Sequence, residues 1–185
     1  MLDEMDMVRA TDSVVVMGLE RLVEPSIQVT RYNATTTPHS LTQLNGLSKY
    51  EKAIGKYLEV KVSENVQNAT SDIISGALIR IYYTATDLDR TGDGDATDPE
   101  DFDENTLAMY YFNASSGVWT KLTTSLSWVK AVGINTTDVG VYGKKYAGYV
   151  WAYVSHFALY GLAGRVLFNQ PPDVSKAHPS KEYLW

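Results

Sequence analysis

Apolar and polar residues alternate through most of the chain. In "YLEVKVS" (57–63), Leu58, Val60 and Val62 alternate with Glu59 and Lys61, which predicts a strand with one face buried and one in water. The stretches "ALIRIYYTA" (77–85), "TLAMYYF" (106–112), "VWTKL" (118–122), "GYVWAYVS" (148–155) and "FALYGLAG" (157–164) predict further strands, rich in the β-branched and aromatic residues that pack well on a pleated surface. "SVVVMGL" (13–19) and "SIQVTRY" (26–32) add two upstream, and "NASSG" (113–117) is short enough to close a hairpin. The one helical candidate is a turn or two within "LTQLNGLSKYEKAIG" (41–55). Short strands separated by Gly, Asn and Asp turns, without βα alternation, predict an all-β fold: an antiparallel β-sandwich with little helix and a long acidic inter-strand loop.

Length and composition narrow this further. At 185 residues and 44% apolar, the chain can bury a real core but not two large domains. Residues 1–12 read as a leader, 13–164 as the sandwich domain, and 165–185, with three Pro, as a linker towards a following module. A net charge of -6 with no run of Lys or Arg lacks the electrostatic footprint of a nucleic-acid binder. The absence of Cys removes thiol catalysis, thiolate metal sites and disulfides together. No apolar run approaches the ~20 residues of a membrane span, so direct membrane insertion is not expected. The opening "MLDEMDMVRATD" is acidic where a signal peptide is basic, so an exported form would be part of a longer chain.

Chemistry concentrates in "DRTGDGDATDPEDFDEN" (89–105), part of a connection far longer than two strands require. Carboxylates at alternate positions around a Gly suit calcium, a hard cation that takes six to eight oxygens. Two registers fit. In the first, Asp89, Thr91, Asp93, the carbonyl of Asp95, Thr97 and Glu100 are the successive ligands, with Gly94 at the turn. In the second, Asp87, Asp89, Thr91, the carbonyl of Asp93, Asp95 and Asp98 surround Gly92. Each has Thr at one early position where an EF-hand has Asp or Asn. The first keeps the terminal bidentate Glu and is preferred, with Ca2+ as the expected ion. The plain alternative is a solvated acidic loop. A pair of glycosidase carboxylates is disfavoured, because one flexible loop supplies neither a fixed separation nor a raised pKa.

Four Asn-X-Ser/Thr sequons, at Asn33, Asn68, Asn113 and Asn135, are glycosylation acceptors if the chain is exported. His156 stands within an apolar strand pattern with no metal-ligand partner at usable spacing, and reads as a structural residue.

"VWAYVSHFALYGLAG", with "GKYLEVKVSENV", "ALIRIYYTATDLD" and "ENTLAMYYFNASSGVWTKL" before it, resembles a β-sandwich module of large secreted or cell-surface proteins of archaea, methanogens especially. The likeness spans roughly residues 55–164. It implies an extracellular location and a structural or adhesive role, and supplies no active site. "VSHFALYGL" is also faintly similar to the last strands of the ZU-type and adhesion-receptor autoproteolysis sandwiches, in which a hydroxyl attacks the preceding carbonyl after His takes its proton. Here the position is Ala158, so cleavage at Phe157-Ala158 by that route is chemically excluded and His156 would be a remnant.

The leading expectation is therefore a non-enzymatic, calcium-stabilised module whose partners are other modules of the same polypeptide or surface proteins. A calcium-assisted carbohydrate-binding module, with glycans stacking on Trp119, Trp128 or Trp151, is the alternative. A hydrolase using the loop carboxylates comes third.

Overall fold

A computed structural model describes residues 7–11, 14–17, 27–62 and 76–166, with side chains described over 28–61 and 76–166. The fold is all-β and antiparallel. Its strands are β1 (Met7–Thr11), β2 (Val14–Met17), β3 (Ile27–Tyr32), β4 (Glu51–Val62), β5 (Gly76–Tyr83), β6 (Ala108–Asn113), β7 (Val118–Lys121), β8 (Val129–Asn135), β9 (Val139–Val141), β10 (Lys144–Tyr146), β11 (Gly148–Val154) and β12 (Leu159–Arg165). One five-stranded sheet runs β1-β2-β5-β11-β8, a second runs β3-β4-β12-β6-β7, and β9 and β10 form a separate hairpin. The only α-helix among the described residues is the single turn α1 (Ala85–Leu88).

Each strand expected from alternation is present, and the β6–β7 hairpin closes through residues 113–117 as expected. The larger buried cluster takes side chains from both five-stranded sheets, among them Leu58, Val60, Met109 and Leu162 of the second and Ile79, Ile81, Ala152 and Val154 of the first. These are every-other-residue positions, so the pleat alone selects them.

Three expectations are corrected. The helical candidate at 41–55 is a set of turns followed by the start of β4, because its apolar residues are recruited by the sheet. Met7–Thr11, inside the expected leader 1–12, pairs antiparallel with β2. At the other end, Arg165 closes β12 and Val166 bridges Phe102, so the expected linker 165–185 begins no earlier than 167; its remainder lies outside the described residues.

The centre of the second sheet, along β12, is buried on both faces. Residues 33–50 fold over its outer side, where Leu41 and Leu47 pack with Tyr57, Tyr110, Trp119 and Leu159 in a second cluster. Polar contacts fix this cover: the Tyr57 hydroxyl accepts from Leu41 N at 3.1 Å, and Trp119 N donates to the Asn45 carbonyl at 2.6 Å. Glu51 is buried beneath it, accepting from the Tyr110 hydroxyl at 2.8 Å and Ser48 N at 3.2 Å. Burial opposes its ionisation, but these donors and the nearby Lys121 ammonium outweigh that and hold its pKa below the ordinary value.

Gly46 is where the cover meets the sheet. It has φ +144°, and a Cβ built there would lie 2.2 Å from the Trp119 carbonyl oxygen. Gly46→Ala is therefore expected to destabilise the fold by about 2 kcal/mol or more. The check is a urea titration: a lowered midpoint with unchanged slope is expected, whereas an unmoved midpoint would show that the cover is not pinned there.

Candidate metal site in the acidic crossing loop

The acidic segment carries the chain from β5 in the first sheet to β6 in the second. It starts from α1, which is capped reciprocally: Asp87 N donates to Thr84 Oγ1 at 3.3 Å, and Thr84 N donates to Asp87 Oδ2 at 2.7 Å. Leu88 and Phe102 are both buried in the main core, and Phe102 N donates to the Leu88 carbonyl at 3.1 Å. The two ends of the excursion are thus pinned by apolar burial.

Inside the loop, carboxylates replace secondary structure as acceptors. Asp101 has no exposed surface; its Oδ1 accepts Arg90 N at 2.7 Å and Thr91 N at 3.3 Å, and its Oδ2 accepts Asp98 N at 3.1 Å. The Asp89 carboxylate accepts Gly92 N and, at 2.9 Å, Gly94 N, and these N–H groups hold its pKa below the ordinary value. Arg90 donates to the Glu100 carbonyl at 2.9 Å and lies 5.7 Å from the Phe102 ring. The loop is ordered by its own backbone N–H groups.

What remains outward is a group of three. Ligand oxygens of Asp93, Asp95 and Asp98 lie within 4.8 Å of one another, the first two exposed and the third half-buried. Mutual repulsion shows at Asp98, whose pKa is raised, chiefly by the Asp93 carboxylate, then by burial and by Asp95 and Asp101.

The group agrees with neither calcium register as a whole. Asp87 is committed to the Thr84 cap and to Lys56 at 3.1 Å. Asp89 faces backbone N–H groups. Thr91 Oγ1 donates to Asp89 at 3.2 Å and lies 3.4 Å from Asp98 Oδ2, and Thr97 Oγ1 donates to Asp95 at 2.7 Å. Glu100 is exposed and is not in the group. Alternate spacing along a sequence marks which carboxylates are close in number; it cannot show which of them the loop backbone has already claimed. Asp101, the buried organiser, belongs to neither register.

The other expected site residues are scattered. Asn33, Asn113 and Asn135 lie at the ends of β3, β6 and β8, each side-chain oxygen accepting from backbone N–H two residues on, at 3.0, 3.0 and 2.7 Å. The Asn135 amide also donates to the Tyr149 hydroxyl at 3.4 Å. Asn68 lies outside the described residues. His156 is not in a strand but in the bend between β11 and β12, where the chain crosses from one sheet to the other. Its ring rests 5.1 Å from that of Trp128, and its carbonyl accepts the Tyr160 hydroxyl. Trp119, expected as a stacking platform, is 1% exposed and sits under the cover segment.

No family model, curated protein or solved structure matches the chain.

Asp101→Ala would strand three loop N–H groups and is expected to cost about 2–4 kcal/mol. Asp95→Ala, at an exposed position, should leave metal-free stability near that of the parent; parallel urea titrations compare the two, and equal effects would contradict the division between organiser and outward carboxylates. The raised pKa of Asp98 means that the folded chain takes up this proton at higher pH than the unfolded chain does. The repulsion is therefore full above the folded pKa and is relieved as pH falls through it. In metal-free, low-salt buffer Asp98→Asn should melt above the parent at neutral pH, and the gap should close on acidification.

Proposed function

We propose that this chain is a non-enzymatic structural or adhesion module of an exported cell-surface protein, of the archaeal kind its sequence resembles, stiffened by Ca2+ at its acidic crossing loop. The observation that carries the metal part is the convergence of Asp93, Asp95 and Asp98 at 4.8 Å or less on a loop whose base is anchored in the core. Three carboxylates held so close repel one another in water, and a hard divalent cation turns that repulsion into attraction. An all-oxygen, partly solvated donor set favours Ca2+, whose coordination is flexible, over Mg2+, which demands near-octahedral geometry. Water and backbone carbonyls of the loop would complete the shell.

The non-enzymatic part draws support from where the remaining loop carboxylates are spent. Asp87 lines a cleft together with Arg31, Arg80 and Tyr82, but its carboxylate already serves Thr84 and Lys56. Asp89 and Asp101 are acceptors for backbone N–H, and the outward three are solvated rather than enclosed. A general acid needs the reverse, a carboxyl kept protonated by an apolar wall.

Thermal melting in excess Ca2+ and in chelator tests the metal part. At a calcium concentration about 100 times Kd, the melting temperature should rise by about 5–10 °C for a chain of this size. Asp98→Asn should abolish most of that shift while melting higher than the parent in chelator. A parent melting temperature unchanged to within about a degree would overturn the structural-ion reading.

A further inference from the structure

We propose that the cleft at the start of β12 binds an uncharged saccharide. The reading goes beyond the metal loop and does not rest on it. The loop enters at Ala108 and lies against Arg165 and Val166, whereas the cleft is bordered by Asn113 and Leu159, the opposite ends of β6 and β12.

The cleft arises from strand lengths. Leu159 at the start of β12 pairs with Glu59, and Tyr160 pairs with Tyr111, so β4 and β6 run on past it with no strand between them. The space left there is about 720 Å³, within the range of sites that hold small ligands. Its walls are rings. Trp128 meets Tyr111 edge-on at 4.8 Å and 88°, His156 leans on Trp128, and His39 lies flat on Phe112 at 3.9 Å and 16°. His39 and His156 are exposed, and Trp128, Tyr111 and Phe112 are half-buried, so ring surface faces the opening.

Charge decides the class of ligand. Glu59 and Lys61 are the charged residues of the lining, and they pair with each other at 3.0 Å, with the Tyr32 hydroxyl also donating to Glu59 at 2.8 Å. Neither a cation nor an anion meets an uncompensated partner. Partial burial of the His156 ring disfavours its charged form and holds its pKa below the ordinary value. A pyranose has a face of C–H groups that lies on an aromatic ring and an edge of hydroxyls that needs mixed donors and acceptors. Asn113, Ser115 and the Glu59 carboxylate supply those on the same cleft.

The test uses the whole chain in chelator, so that it is independent of any effect of Ca2+. Cello-, chito- and mannotetraose are titrated by calorimetry beside a uronic-acid tetrasaccharide and tetramethylammonium as charged probes. At least one neutral saccharide should bind with Kd at or below about 1 mM, and the charged probes more weakly. His39→Ala removes an exposed ring that lies outside both buried clusters and should weaken binding about 10-fold or more with little change in melting temperature; Trp128→Phe, at a ring packed against the main core, should weaken binding as much and also lower the melting temperature, so the two together separate binding from folding. Three outcomes would overturn the proposal: no saturable binding up to about 10 mM, tighter binding of a charged probe, or saccharide binding that neither substitution alters.

Discussion

The structure depends on the burial of β12. This strand lies at the centre of the second sheet and is buried along its whole length except at Arg165, because it has core on one side and the 33–50 cover on the other. Tyr160 and Leu162 face the core shared between the sheets, while Leu159 and Ala163 face the cover. A strand enclosed in this way has no room for a polar face, which is why its sequence reads as a nearly continuous apolar run. Its two ends border two of the sites that the described residues leave open. At the Arg165 end the acidic crossing loop packs beside it, and at the Leu159 end the sheet opens into the aromatic cleft.

The crossing loop shows how one residue type can take opposite roles within a few positions. Asp101 and Asp89 lower the cost of ordering the loop because backbone N–H groups point at them, and hydrogen bonds to an ionised acceptor are the stronger kind. Asp93 and Asp95 each accept one backbone N–H, from Asp95 and Thr97, but with Asp98 they also point at one another, which raises that cost. The loop therefore carries a local electrostatic debt on an already folded frame, the condition under which a bound cation has most to contribute.

The aromatic residues divide in a comparable way. Tyr57 and Tyr110 place their rings under the cover and use their hydroxyls on Leu41 N and Glu51, joining apolar burial to specific polar contacts. Trp151 lies across Gly133 of the neighbouring strand, where a built Cβ would come within 2.6 Å of the indole. Trp128, Tyr111 and Phe112 instead border open space where β12 has not yet begun.

Much of the fold was legible in the sequence because alternation follows directly from the two-residue pleat, and the eight segments that display it are all strands. It did not reveal β1, which falls in the segment read as a leader, nor β8, β9 and β10, and the last three have local causes. β8 is interrupted by Gly133, and the β9–β10 hairpin turns through Tyr142 at φ 48°, a left-handed position usually marked by Asn or Gly. The candidate loop was legible as a density of carboxylates, but its division into organisers and outward groups was not, since that depends on where backbone N–H groups point after the chain has crossed between sheets. The cleft was not legible at all: His39, Glu59, Phe112 and Trp128 come from four separate segments. By itself the sequence determined eight of the strands, the all-β class and the presence of an acidic connection, because these rest on local periodicity and composition. Only the tertiary structure decided which faces are covered, which carboxylates converge and where rings meet open space, because those depend on strand order and relative strand length.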